Sequence, residues 1–308
     1  MKPRLRSSVL LALAILFLSS VVVAQAIAPD SAAAVRPPVV NIPFFAEENH
    51  GKPRKGITSV DLSILDNGKP PQSIVAIQSA NELPLRLGVL IDTSTSQSAR
   101  RLYRPGVAAI NDLLSQALNR PDDRAFIVNF SGTVQATGFM GKEELLKFKT
   151  NANPGGATAF FDAVYFSCKD RIEADPTQPA RRVLVVLTDG GDNLSHVNHD
   201  EAITAALRAG AVIFLVSTSE QGPDLDNSRL RKFGETTGGH TFLDLNAGEI
   251  SKTFRSIQEQ IGNMYVVSYV PQEPGKPGER RTLALKAASD KKLKFRAPKA
   301  YYSSPSLP

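Results

Sequence analysis

Residues 83–96 read LPLRLGVLIDTSTS: an almost unbroken apolar run that ends in the carboxylate of Asp92 and passes into a row of hydroxyls. A short apolar run without alternation predicts a strand buried on both faces of a parallel sheet. Three more runs share that character: AFIVNF at 125–130, RVLVVLT at 182–188 and AVIFLVST at 211–218. HTFLDL at 240–245 is a shorter one, and TVQATGF at 133–139 reads as a brief return strand. Stretches with helical spacing lie between them, at 99–118, 141–152, 160–174, 199–210, 228–239 and 247–262. In the first, Leu102, Val107, Ile110, Leu113, Leu114 and Leu118 fall near one face, and Gly210 is a natural stop for the fourth. Strands alternating with helices of this length predict an α/β fold, a Rossmann-like doubly wound, mainly parallel sheet flanked by helices, over residues 83–262.

Outward from that unit the period changes to two. VVNIPFF at 39–45, the alternation of Val60, Leu62 and Ile64, and SIVAI at 73–77 read as strands. Asp66-Asn67-Gly68-Lys69 is a strong turn signal, which predicts a hairpin with SIVAI as its return strand, although Pro70 and Pro71 suggest an edge or an irregular turn. After the α/β unit, MYVVSYV, RTLALKA and KLKFRA alternate again. We expect both flanks, residues 25–82 and 263–308, to build one small β module. The basic residues Lys286, Lys291, Lys292, Lys294, Arg296 and Lys299 interleave with Leu293 and Phe295, as on a half-buried edge strand with a solvated face.

The first residues read as an address. Lys2, Arg4 and Arg6 precede an apolar run from Val9 to Val23, followed by small residues around Ala24 and Ala26. That order predicts a signal peptide over 1–24, with export to the periplasm or beyond the cell. The run is short of the roughly 20 residues of a spanning helix, so no stable membrane insertion is expected once it is cleaved. Residues 25–39, rich in Ala and Pro, read as a leader. The chain carries 36 basic and 30 acidic residues, a net charge of +6, and half of that excess lies in Lys2, Arg4 and Arg6. The remaining charge gives no case for nucleic acid. A single cysteine, Cys168, cannot form an internal disulfide, and its apolar helical surroundings (AFFDAVYFSC) predict a buried thiol.

Three segments carry the chemistry: Asp92-Thr93-Ser94-Thr95-Ser96, Gly155-Gly156-Ala157-Thr158 ahead of a helix bearing Asp162, and Thr188-Asp189-Gly190-Gly191-Asp192-Asn193. The first and third directly follow apolar strands, where an open α/β sheet places its ligand site. D-x-S-x-S alone is a weak motif, whereas three elements in order are a strong one. As a bare loop, DTSTS would explain a helix cap but not Thr158 and Asp189 in matching places.

In order and spacing these segments resemble the von Willebrand factor type A family with its metal-ion-dependent adhesion site. Asp92, Ser94 and Ser96 match its first element, Thr158 its second and Asp189 its third. The family's second element usually reads GGT; here Ala157 stands between Gly156 and Thr158, while the spacing from Thr158 to Asp162 is kept. The whole chain further resembles a bacterial, acidobacterial-type subgroup, with DNGKPPQSI before the type A unit and YVVSYVP after it. The resemblance implies a non-enzymatic binding protein. Its site would hold Mg²⁺ (Mn²⁺ or Ca²⁺ also fit), the two aspartates acting mainly through bound water. A protein ligand would supply an acidic side chain to the metal.

Rival readings are a haloacid-dehalogenase-like hydrolase and a structural or assembly module with a degenerate metal site. The hydrolase needs a second carboxylate two residues after Asp92, where Ser94 stands. No GxxxxGK[ST] loop and no Gly-flanked serine elbow with a placed histidine occur. His196 and His199, three residues apart, have with Asp192 the chemistry of transition-metal ligands, but no third or fourth ligand is spaced for zinc, and the histidines read as solvated loop residues.

Overall fold

In the computed structural model, residues 38–48, 51–148, 150, 153–172, 179–219 and 225–303 are described. The expected signal segment and most of the leader lie outside them, as do parts of the helices expected at 141–152 and 160–174.

Six strands form the central sheet: β4 (Leu85–Asp92), β5 (Arg124–Phe130), β6 (Val134–Ala136), β7 (Arg181–Thr188), β8 (Val212–Ser217) and β9 (His240–Phe242). Their order is β6-β5-β4-β7-β8-β9, parallel throughout except for the antiparallel β5–β6 edge. Every residue of β7 and β8 is buried, as expected of strands covered on both faces. One face packs α1 (Tyr103–Ala117) and α6 (Ile250–Gly262), with Ile110, Leu113, Phe254 and Ile257 against Val89, Val185 and Val216. The other packs α3 (Phe160–Phe166), α4 (His199–Ala209) and α5 (Leu225–Thr237), with Phe160, Ala206 and Phe233 against Phe126, Leu184 and Leu215. A sixth helix, α2 (Lys142–Lys147), sets Leu145 against the first core. Gly88 is a packing requirement in the middle of β4: a Cβ there would stand 2.5 Å from both Leu184 Cδ2 and Phe126 Cζ.

Helix ends follow the sequence closely at α4. Asn198 caps the N-terminus by accepting from the backbone N–H groups of Asp200 and Glu201, Glu201 returns to the Asn198 N–H, and Gly210 closes the helix in the left-handed conformation. The helix expected from residue 99 begins later, because 95–99 form a 3-10 turn. Cys168 is 1% exposed in a π-helical turn after α3, and burial pushes its thiol well above the ordinary range.

The flanks interleave. β1 (Val40–Glu47), β2 (Leu62–Asp66) and β3 (Ser73–Ser79) come from the N-terminal side. From the C-terminal side come β10 (Tyr265–Val270), β11 (Arg280–Ala287), β12 (Lys294–Arg296) and β13 (Ala300–Tyr302). They form two antiparallel sheets, β12-β1-β10-β3 and β13-β11-β2, around a core that includes Phe44, Ile64, Val267, Tyr269 and Leu283. The expected β2–β3 hairpin is not made. Asn67 (φ 47°) and Gly68 (φ 78°) do form a tight turn closed by Asp66 and Lys69, but the chain then leaves the ladder. Pro70 and Pro71 have no N–H to give it. β2 pairs with β11 instead and β3 with β10. Val60, expected to join the strand, sits in a 3-10 turn at 79% exposure.

β12 is the edge expected of KLKFRA and exposes Lys294, yet Arg296 is not a solvated residue. Its guanidinium lies over the Phe45 ring at 4.2 Å, donates to Gly238 O at 2.7 Å and Gln260 Oε1 at 2.6 Å, and pairs with Glu47 at 3.1 Å. It thereby ties the module to α6 and to the end of α5. Gly238 stands just before β9, so this tie is made at the amino end of that parallel strand. Among the described residues, no helix is long and apolar enough to cross a membrane.

Candidate functional site

The chain lays down β4, steps to β5 and β6 on one side, then returns past β4 to add β7, β8 and β9 on the other. Strand order therefore reverses between β4 and β7, and a crevice opens outside their carboxyl ends. Asp92 is the last residue of β4, and Asp189 follows the last residue of β7. Thr158 comes to the same place on the loop before α3.

Asp92 is fully buried, at 0% exposure. Its Oδ1 accepts the Ser94 N–H at 2.9 Å; its Oδ2 accepts Thr188 Oγ1 at 2.7 Å and Gln97 Nε2 at 3.1 Å. Thr188 Oγ1 in turn accepts the Gly190 N–H at 3.0 Å, and Gln97 Oε1 accepts Thr218 Oγ1 at 2.8 Å. One carboxylate thus joins its own loop to the ends of β7 and β8. Burial pushes its pKa up to about 6 against the pull of those hydrogen bonds, and the Asp189 charge adds to the rise.

The hydroxyls lie above it. Ser94 Oγ and Ser96 Oγ are 3.1 Å apart; Ser94 is buried and Ser96 exposed. Thr158 is held from both sides: its N–H donates to Asn193 Oδ1 at 2.9 Å, and its carbonyl accepts the N–H groups of Asn193 and Leu194 at 3.0 Å. The Thr95 N–H and Oγ1 both donate to Gly156 O at 3.0 Å, which fastens the first loop to the second. Asp189 accepts the Gly191 N–H on Oδ1 at 3.3 Å. Its Oδ2 accepts Arg100 Nε at 3.2 Å and Nη2 at 3.0 Å.

Ser94, Ser96, Thr158 and Asp189 line one cleft of about 290 Å³ together with Arg100; Asp92 is not in its lining but is buried directly behind Ser94, whose N–H it accepts. The structure thus brings together four of the five residues singled out from sequence at the cleft wall and buries the fifth behind them. Thr188, Gln97, Asn193 and Arg100 gave no signal of their own. Each acts on a partner far away in sequence, and only Thr188 and Asn193 lie inside a segment that the motif had marked.

Asp192, His196 and His199 do not converge. Asp192 accepts the Phe161 N–H and Ser195 Oγ, and His196 Nδ1 meets Asp162 Oδ2 at 2.8 Å with its ring 92% exposed. His199 opens α4, as the helical stretch at 199–210 predicts, but it is not the solvated residue expected: its side chain is 15% exposed and edge-on to Phe161 and Phe233, because the helix start turns it onto the aromatic core. Among the described residues, no three His, Cys, Asp or Glu side chains cluster as metal ligands. A roomier cavity of about 820 Å³ lies against α4, but its charges are engaged: Arg208 stacks on Tyr302 at 4.1 Å, and Asp200 pairs with Lys232 at 2.9 Å.

No protein-family model matches the chain, and no curated protein matches it. Among solved structures it is similar to a von Willebrand factor type A protein from Catenulispora acidiphila. Identity there is 12%, the match covers 87% of this chain and 74% of that one, and the TM-score is 0.47. It is also similar to proximal thread matrix protein 1 from the mussel byssus, solved with a zinc-occupied MIDAS motif. That match has 17% identity, 62% and 48% coverage and a TM-score of 0.48, so the chain spans about half the mussel protein's length. An aerotolerance-related membrane protein from Bacteroides fragilis is similar at 13% identity, with 57% and 98% coverage and a TM-score of 0.42.

Proposed function

We propose that this chain is an exported binding protein of the von Willebrand factor type A kind, which engages an acidic protein ligand through a divalent cation. The observation that supports this most is the convergence of the Asp189 carboxylate and three hydroxyls, from three separate loops, at the switch point of the sheet, with the Asp92 carboxylate bonded behind Ser94. The donor set is all oxygen, which suits a hard cation such as Mg²⁺, with Mn²⁺ and Ca²⁺ as alternatives. The residues fit such an ion on a second ground: Asp189 Oδ2 already draws a guanidinium onto itself, so this wall of the cleft attracts positive charge.

Ser94, Ser96 and Thr158 would hold the ion through neutral oxygens, and Asp189 at the wall and Asp92 behind Ser94 would balance its charge. When bound, the ion supplies an under-neutralised positive centre that attracts a ligand carboxylate. Asp92 cannot turn toward a substrate, because Ser94, Gln97 and Thr188 engage both of its oxygens. Ser94 stands where a dehalogenase-like enzyme needs its acid/base carboxylate, so the arrangement supports binding rather than turnover.

Calorimetric titration with Mg²⁺ or Mn²⁺ tests the reading. Asp92→Ala and Asp189→Ala should abolish binding while leaving a folded protein, and Ser96→Ala, an exposed change, should weaken it. Equal affinity in all four proteins would reject the site. A pull-down from envelope extract with and without chelator should then recover a partner only when the cation is present.

A further inference from the structure

Arg100 lines the cleft, yet the motif gives it no part. Its backbone is fixed within the same loop that carries Ser94 and Ser96. The Arg100 N–H donates to Gln97 O, and Arg100 O accepts the Tyr103 N–H, both at 3.2 Å. The side chain reaches from there to the Asp189 carboxylate and donates twice to a single oxygen. The Asp189 side chain is 5% exposed and that of Arg100 30%, so the pair joins a buried carboxylate to a partly exposed arginine. A divalent cation held beside Asp189 and a guanidinium on the same oxygen repel one another strongly in such surroundings.

Resting on the proposed cation site, we infer that Arg100 is its affinity-setting residue, an internal counter-cation that occupies Asp189 until a divalent ion displaces it. The cleft then has two mutually exclusive states, arginine-paired and ion-bound. Apparent ion affinity is the intrinsic affinity divided by the cost of breaking the arginine pair. The partial exposure of the Arg100 side chain gives it a way out to solvent, while Ser94, Thr158 and Asp92, held by backbone and buried side chains, keep their places. A competing reading makes Arg100 a brace that aims Asp189 at the ion, and the two differ in sign. Loss of a competitor tightens ion binding; loss of a brace weakens it.

The test is Mn²⁺ titration of the full chain, followed by calorimetry and by the electron paramagnetic resonance signal of the free ion. The proteins compared are wild type, Arg100→Gln, Arg100→Lys and Asp189→Asn. Arg100→Gln should bind Mn²⁺ on the order of tenfold tighter, the effect of removing one half-buried charge pair. Arg100→Lys keeps the charge but loses the paired donors, and should fall between. In chelator, Arg100→Gln should melt lower than wild type, since it leaves Asp189 unpaired, and its gain in melting temperature on adding Mn²⁺ should be the larger. Unchanged or weaker Mn²⁺ binding by Arg100→Gln, with wild type binding normally, overturns the counter-cation and leaves the site standing. No Mn²⁺ binding by any of the four overturns both.

Discussion

Asp92 carries a carboxylate that water does not reach, and its protonation leaves a mark on stability. Desolvation raises its pKa from 3.8 to about 6. Between those values the folded protein holds a proton that the unfolded chain has lost, so this group lowers stability as pH rises from about 4 through 6. Its cost is fully present above that window. The shift corresponds to about 3 kcal/mol at most. Other carboxyls, such as Asp61 and Asp162, are shifted down and act in the opposite direction at lower pH, so the group is best isolated by difference. Urea unfolding of the metal-free protein at pH 4.5 and 7.5 should show Asp92→Asn gaining on wild type at the higher pH. The same pH slope in both proteins would mean that Asp92 is not buried as an ion. At this scale the sequence was readable where residues are contiguous: Asp92, Ser94 and Ser96 announce themselves directly after an apolar run. Thr188, Gln97 and Arg100 were silent, since their partners Asp92, Thr218 and Asp189 stand 96, 121 and 89 positions away.

Elements whose character is local came through well: the buried strands by their apolar runs, α4 by its helical spacing and its closing glycine. Strand partners did not, because pairing is decided by tertiary packing. Asp66 illustrates how. As the first residue of a turn signal it pointed to a local hairpin, yet its side chain serves a long-range junction. Oδ1 accepts Arg281 Nε at 2.8 Å, and Oδ2 accepts Tyr301 Oη at 2.6 Å and Tyr269 Oη at 3.2 Å. Asp66 and Arg281 are 2% and 4% exposed. A single carboxylate thereby connects β2 to β10, β11 and β13, and β11 captures β2 in place of β3. Asp66→Ala leaves a buried guanidinium without its main partner and should destabilise the protein by about 3–5 kcal/mol, read from chemical denaturation. A loss below about 1 kcal/mol would show that Arg281 finds water or another acceptor. Ion binding at the cleft should survive in the folded fraction, because this junction lies beyond the opposite end of the parallel strands.

For the molecule as a whole, the described N-terminal strands never pair with each other. β1 lies between β10 and β12, β3 pairs with β10, and β2 with β11. Deleting residues 263–308 therefore removes every strand partner of 40–79 and exposes Phe44 and Ile64 from their shared core. Limited proteolysis of that truncation should cut 40–79 rapidly while the cleft-bearing unit persists; equal protection in both forms would show that the N-terminal strands stand alone. The alternation of each flank, with one apolar face left uncovered, was enough to suggest a joint module, but nothing in either flank announced which strands would meet. The pairing of Ser79 with Tyr265 has a mechanical consequence. The chain enters and leaves the cleft-bearing unit through neighbouring strands, and residues 38–43 and 300–303 line one small cavity, so the first and last described residues also lie side by side. Tension applied at those ends peels the module first and bypasses the unit hung from it. In a pulling experiment the module should rip before the larger unit, and a protein tethered in this way would keep its cleft off the load path.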